Sequence, residues 1–186
     1  MLVYLHGFNS SPQSHKAQVM QRYAAEQGVE FACPALPPLA DESIRIAEKL
    51  IRGKKSACLI GSSLGGFYAT WLAEKHGLKA ALINPAIDPH VGLRAYLGPQ
   101  KNLHTGEPYE LTKAHLAEWQ KLYVPRITPR RYLLLVETGD EVLDYRKAVE
   151  RYAGAEQVVV QGGDHSLQSF PQHLPRILEF SRAPAV

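Results

Sequence analysis

The chain alternates short apolar runs with longer segments of helical period, and no other feature of the sequence constrains its fold as much. A strand, a helix and a second strand form a crossover unit, and a succession of such units builds a parallel sheet with helices on both faces. Leu2 to Leu5 are apolar without a break, as a strand buried on both faces requires. A helix is expected over about 14–27, with Gly28 as its stop, and a second strand over 29–33, ended by Pro34. Beyond a proline-rich loop, Asp41 is the expected cap of a helix whose apolar face is Ile44, Ala47, Leu50 and Ile51, closed by Gly53. Residues 57–60, 80–83, 132–136 and 158–160 supply the remaining strands, and 64–76, 144–152 and 171–180 the remaining helices. The expected architecture is α/β, with six mostly parallel strands and helices on both faces.

Between Ala86 and Arg130 the alternation stops. No strand is expected there, only one helix over about 112–123 between Pro- and Gly-containing loops. A stretch this long inside a compact domain is usually a lid or disordered, and Tyr109, Leu116, Trp119 and Tyr123 argue for order. The expectation is therefore a single domain over 1–186 with a small helical, cap-like insertion at about 87–130. These four side chains are its candidate substrate pocket, an apolar wall for an acyl group; the competing reading is that they pack the insertion onto the body.

Composition excludes several classes. Apolar residues make up 45% and charged residues 21%, a globular balance. No run approaches the length of apolar chain that a membrane helix needs, so no membrane partner is expected. The first residues lack the basic, apolar and small-residue regions of a signal peptide, and a cytoplasmic location is expected. The 2 cysteines, Cys33 and Cys58, lie in apolar segments, which leaves no disulfide scaffold and no Cys-rich zinc site. The net charge of +3 is scattered along the chain, so no nucleic-acid partner is expected.

Gly61-Ser62-Ser63-Leu64-Gly65 is a G-x-S-x-G between an expected strand and an expected helix. That context suits a nucleophile elbow, where the serine sits on a strained turn and both flanking positions must be small. Ser63 is the candidate nucleophile. A serine hydroxyl attacks at neutral pH only if a base takes its proton, so a histidine and an orienting carboxylate are needed. Of 8 histidines, His165 has the best position, in a Gly-rich loop after the sixth strand. His76, His115 and His173 fall in expected helices, His90 and His104 lie in the insertion as further pocket candidates, and His6 reads as structural. Asp140 follows the fifth strand and is the favoured acid, with Asp88 as its rival; Asp144 is expected to cap a helix and Asp164 to point elsewhere. The loop Leu5-His6-Gly7-Phe8-Asn9 can offer the Phe8 N–H to a developing oxyanion, with the Leu64 N–H as second donor.

Taken together, residues 4–12, 61–66, Asn84-Pro85-Ala86, 139–144 and Gly163-Asp164-His165 resemble the bacterial YqiA/YcfP-type esterases, the YqiA branch most closely. The resemblance spans nearly the whole chain. It implies a compact α/β-hydrolase fold, hydrolysis of short-chain carboxylic esters or thioesters, and Ser63, Asp140 and His165 as nucleophile, acid and base, in the chain order of that superfamily. No cofactor or metal is implied, and the implied partner is a small acyl ester. A non-catalytic hydrolase-like binding module, a peptidase and a perhydrolase are the alternatives, because the triad alone does not select the leaving group.

Overall fold

The structure is a computed structural model describing residues 1–184. Along the chain it runs β1 (Leu2–Leu5), α1 (His15–Glu26), β2 (Phe31–Ala32), α2 (Ala40–Ile51), β3 (Cys58–Ser62), α3 (Leu64–His76) and β4 (Lys79–Ile83). It continues through α4 (Pro89–Gly92), β5 (Gly98–Lys101), β6 (Pro108–Leu111), α5 (Lys113–Lys121), β7 (Tyr132–Glu137), α6 (Tyr145–Arg151), β8 (Glu156–Val160) and α7 (Phe170–Arg182). Six strands form one parallel sheet in the order β2-β1-β3-β4-β7-β8.

Every residue of β1, β3, β4 and β7 is buried, which explains why their sequences are apolar except at strand ends. Alternate side chains enter different layers. Leu2, Tyr4, Ile60, Ile83, Leu133 and Leu135 meet Met20 of α1 and Leu174 and Ile177 of α7. Val3, Leu5, Leu59, Leu82, Leu134 and Val136 meet Ile44 of α2, Leu72 of α3 and Trp119 of α5. Burying each such leucine contributes about 1.5–3 kcal/mol, so the two layers carry most of the stability. Ser62, Glu137 and Lys79 are the buried polar residues of these strands, and Lys79 stands at the start of β4. Its ammonium donates to the carbonyls of Phe180 and Ala183, satisfying the carboxyl end of α7.

From β1 the chain crosses to β2 on one side and then to β3 on the other. The strand order therefore reverses between β1 and β3, and the crevice at their carboxyl ends is where a doubly wound sheet accepts a ligand. Both the loop after β1 and the Ser63 turn after β3 open there.

Three local expectations need correction. The insertion contains an antiparallel hairpin, β5 paired with β6, where no strand was expected. Only Leu111 of its eight residues is buried, so the hairpin carries no apolar alternation to read. Asp41 does not cap α2. Its first N–H groups, those of Ala40 and Asp41, donate instead to Glu118 Oε2 at 2.8 and 3.4 Å, a partner 78 residues away from Ala40. The second strand shrinks to two residues at the sheet edge. No helix among the described residues is long and apolar enough to cross a membrane.

Candidate active site

Ser63 stands between β3 and α3 at φ 53° and ψ −120°, a conformation that costs a residue with a side chain and survives only where the surroundings impose it. Two hydrogen bonds tie the turn to β4 and the loop after it: the Ser63 N–H donates to the Ile83 carbonyl at 3.0 Å, and the Ala86 N–H donates to the Ser63 carbonyl at 3.0 Å. Both flanking glycines are obligatory. A Cβ on Gly61 would lie 2.6 Å from Gly66 Cα, and one on Gly65 would overlap the Leu5 carbonyl.

His165 Nε2 lies 3.2 Å from Ser63 Oγ, and its Nδ1 lies 2.9 and 3.0 Å from the two Asp140 oxygens. Because an ionised carboxylate only accepts, Nδ1 carries the proton and Nε2 is left to accept from the serine hydroxyl. The Asp140 side chain is 1% exposed. Burial pushes its carboxyl upward, but the His165 ring and the N–H groups of Leu143 and Val142 outweigh this and hold it below the usual aspartate range. It stays an anion, suited to orienting the imidazole. The rival acid, Asp88, sits at the start of α4, Asp144 caps α6 through the Arg146 N–H, and Asp164 accepts from the Ser166 and Gln168 side chains and the Ser166 N–H.

The loop after β1 closes over the nucleophile. A Cβ at Gly7 would come within 3.2 Å of Ser63 Cβ, so the chain passes as near to the serine as a glycine allows. Among the described residues, neither the Phe8 nor the Leu64 N–H has a turn or loop carbonyl as partner. His6 is structural, 3% exposed, and accepts the Leu36 N–H at 3.0 Å.

The expected pocket wall is corrected. The cleft beside Ser63 and His165 is bordered by Phe8, Leu103, His104, Leu167 and Phe170, and by none of Tyr109, Leu116, Trp119 or Tyr123. Trp119 is 0% exposed and donates to the Tyr68 hydroxyl at 2.7 Å, Leu116 is core, and Tyr123 borders a small hollow beside Arg151. Tyr109 and Trp119 instead flank Phe8 edge-on, with ring centroids 6.5 and 6.4 Å away. The hairpin completes that support. Tyr109 Oη donates to Asn9 Oδ1 at 2.6 Å, the Leu103 N–H to the Asn9 carbonyl at 3.0 Å, and Asn102 Nδ2 to the Ser10 carbonyl at 3.0 Å. Tyr109 and Trp119 thus buttress the loop after β1 instead of lining that cleft. Of the two insertion histidines, His104 borders the cleft, whereas His90 lies edge-on to Tyr123.

Sequence reasoning missed Glu137, the last residue of β7. It is 1% exposed, and its carboxylate accepts the N–H groups of Asp164 at 2.9 Å, Gln168 at 3.0 Å and Ser169 at 2.8 Å. Among the described residues no cation lies within 4 Å of it; Lys16 is a charged group in its field, and burial lowers the pKa of the nearby His173 imidazole, favouring its neutral form. Burial raises its pKa, but the hydrogen bonds win and hold it below the ordinary 4.5. A depressed folded-state value means that the stabilisation is present above the ordinary value and is lost as pH falls through the folded one. The expected result is a Tm difference between wild type and Glu137→Gln that is largest at neutral pH and narrows below about pH 4.5. A difference constant from neutral pH to pH ~3 would contradict the ionised, hydrogen-bonded state.

Solved structures share this architecture. A protein of Agrobacterium vitis S4 superposes with a TM-score of 0.80 over 97% of this chain and 87% of its own, at 21% identity. Mouse alpha/beta hydrolase domain-containing protein 10 gives 0.73 over 96% and 87%, at 15% identity, and Est1E of Butyrivibrio proteoclasticus gives 0.73 over 96% and 85%, at 15% identity. The fold is that of the α/β-hydrolases, as the resemblance implied. In sequence, a UPF0227 protein of Serratia proteamaculans is 24% identical over 191 residues, covering 99% of this chain and 100% of the relative. A Yersinia pseudotuberculosis relative is 25% identical over 186 residues, covering 97% and 98%. The model of the uncharacterised protein family UPF0227 matches residues 1–182, and by that match the chain belongs to the UPF0227 family, the YqiA/YcfP type that its motifs resemble.

Proposed function

We propose that this chain is a serine esterase acting on short-chain carboxylic esters, with thioesters as related substrates. The single observation that carries the reading is the continuous relay from Ser63 Oγ through His165 to Asp140, 3.2 Å and 2.9 Å long, built on a strained turn at the switch point of the sheet. Each of its three residues comes from a different loop, and a binding module has no need of such a relay.

In this reading Ser63 Oγ attacks the ester carbonyl carbon while its proton passes to His165 Nε2. Asp140 stabilises the imidazolium that forms. The tetrahedral oxyanion accepts from the Phe8 and Leu64 N–H groups, where losing one donor costs about 3 kcal/mol of transition-state stabilisation. The intermediate collapses as His165 returns the proton to the departing alkoxide oxygen, and the alcohol leaves an acyl-Ser63. Water then attacks the acyl carbon and gives its proton to His165, which passes it back to Ser63 Oγ as the acid is released.

The cleft, about 470 Å³, is within the range of small-molecule sites and has apolar walls at Phe8, Leu103 and Phe170. Cys33 and Cys58 take no part: both are free, and burial pushes their thiols up to about 12. Two unpaired thiols also favour a reducing, cytoplasmic setting. The test is hydrolysis of a p-nitrophenyl ester series from acetate to laurate beside matched thioesters. The expected profile peaks at short chains, and a purified, folded protein inactive on the whole series would overturn the reading.

A further inference from the structure

The loop that carries His165 is held by polar contacts, not by apolar packing: from its rim Glu141 accepts the His165 N–H at 3.0 Å, the Gly139 N–H donates to the Gly162 carbonyl at 2.8 Å, and Lys16 donates to the Ser166 carbonyl at 2.8 Å. Its flanking Gly162 and Gly163 are at φ 78° and 71°, most of residues 161–168 are exposed or half-buried, and only Leu167 among residues 161–168 is buried. The imidazole must nevertheless meet Ser63 and Asp140, on two other loops, to within a few tenths of an ångström. Apolar packing does not supply that precision here. Two buried polar side chains beneath the loop do.

Asn84, 2% exposed and at φ 39°, follows β4. Its Nδ2 donates to the carbonyls of Asp164 at 3.2 Å and His165 at 3.1 Å, while its Oδ1 accepts the Glu137 N–H at 3.1 Å. The Glu137 carboxylate in turn holds the N–H groups of Asp164, Gln168 and Ser169. The peptide groups on both sides of the His165 side chain are thus gripped from below by one hydrogen-bonded pair. Gly163 lies so close that a Cβ there would overlap the Glu137 carboxylate, which keeps the loop pressed onto the pair.

We infer that Asn84 and Glu137 are positioning residues for His165: they touch no reacting atom, and they set the imidazole in line with Ser63 and Asp140. The inference rests on the esterase reading for its kinetic consequence but not for its structural one. Low local dielectric makes each hydrogen bond of the pair strong, and its rigidity passes directly to the backbone of His165.

The experiment uses Asn84→Gly, Glu137→Gln and, as a destabilised control in the opposite layer, Ile44→Val. Glycine at 84 keeps the positive φ available while removing the amide, and Tm reads the cost of the added backbone freedom. Three quantities are read on each folded protein: kcat and KM with p-nitrophenyl butyrate, Tm, and the downfield proton NMR signal of the His165 Nδ1–H held by Asp140. Both positioning variants are expected to lose roughly 10- to 100-fold in kcat with KM within about twofold, and to lose the downfield signal to exchange with water. Ile44→Val is expected to lower Tm alone. Asn84→Gly with wild-type kcat and an intact downfield signal would overturn the inference, and it decides by itself if Glu137→Gln does not fold. A wild type that hydrolyses no ester defeats the esterase reading alone, because the NMR signal still decides whether the pair holds His165.

Discussion

Ser63→Ala is expected to lower kcat for ester hydrolysis by about 10⁴- to 10⁶-fold while leaving KM and Tm close to wild type. The serine side chain makes one hydrogen bond, to His165, so its removal exposes no buried unsatisfied partner. The backbone strain at φ 53° is the same for alanine as for serine, which is why the fold should not register the change. The oxyanion donors are backbone groups and persist in the variant; they set the residual rate above that of water. Ser62, its neighbour, points the other way along the strand into the layer of Tyr4, and Ser62→Ala is not expected to reproduce the loss. Steady-state kinetics with p-nitrophenyl butyrate, with Tm measured on the same preparations, checks both halves. A retained rate in Ser63→Ala would remove the serine from the reaction.

The second large effect falls on the fold. Gly65→Ala is expected to cost about 3 kcal/mol or more, a sizeable part of the 5–15 kcal/mol that keeps a domain folded. The added methyl would overlap the Leu5 carbonyl and lie 2.7 Å from the His6 carbonyl oxygen. Neither neighbour can retreat, because Leu5 pairs with Gly61 in the β1·β3 ladder and His6 anchors the Leu36 N–H. Gly92→Ala is the matched control, since a Cβ there meets nothing within 4 Å. Urea unfolding of the two variants measures the contrast. A Gly65→Ala protein within about 1 kcal/mol of wild type would mean that α3 does not press against β1 as described.

What could be read from the sequence follows from where each signal is physically stored. β1, β3, β4 and β7 are buried on both faces, so burial is written into their residues as continuous apolar runs. Gly77 ends α3 at φ 68°, a left-handed position that only glycine occupies without cost. Ser63, Asp140 and His165 each lie just past a strand, where a doubly wound sheet exposes its loops, and the structure brings these three within hydrogen-bonding reach of one another.

The parts that escaped depend on partners distant in sequence. Glu118 serves the amino end of α2 from the insertion, and nothing near Asp41 announces it. Trp119 and Tyr109 have the composition of a ligand wall, yet they face Phe8, because aromatic residues look alike in sequence whether they line a cleft or brace a loop. The β5–β6 hairpin buries one side chain of eight and leaves no periodic trace. Asn84 and Glu137 look like an ordinary strand-end turn residue and a surface carboxylate until the loop from 162 to 169 folds over them.

The esterase account turns on whether the Ser63 hydroxyl is an activated nucleophile, and a fluorophosphonate probe with peptide mapping measures that most directly. The account predicts one label per chain, on Ser63, absent from Ser63→Ala and markedly slower to form in His165→Ala. A folded wild-type protein that takes up no label, or takes it on another residue, would contradict it.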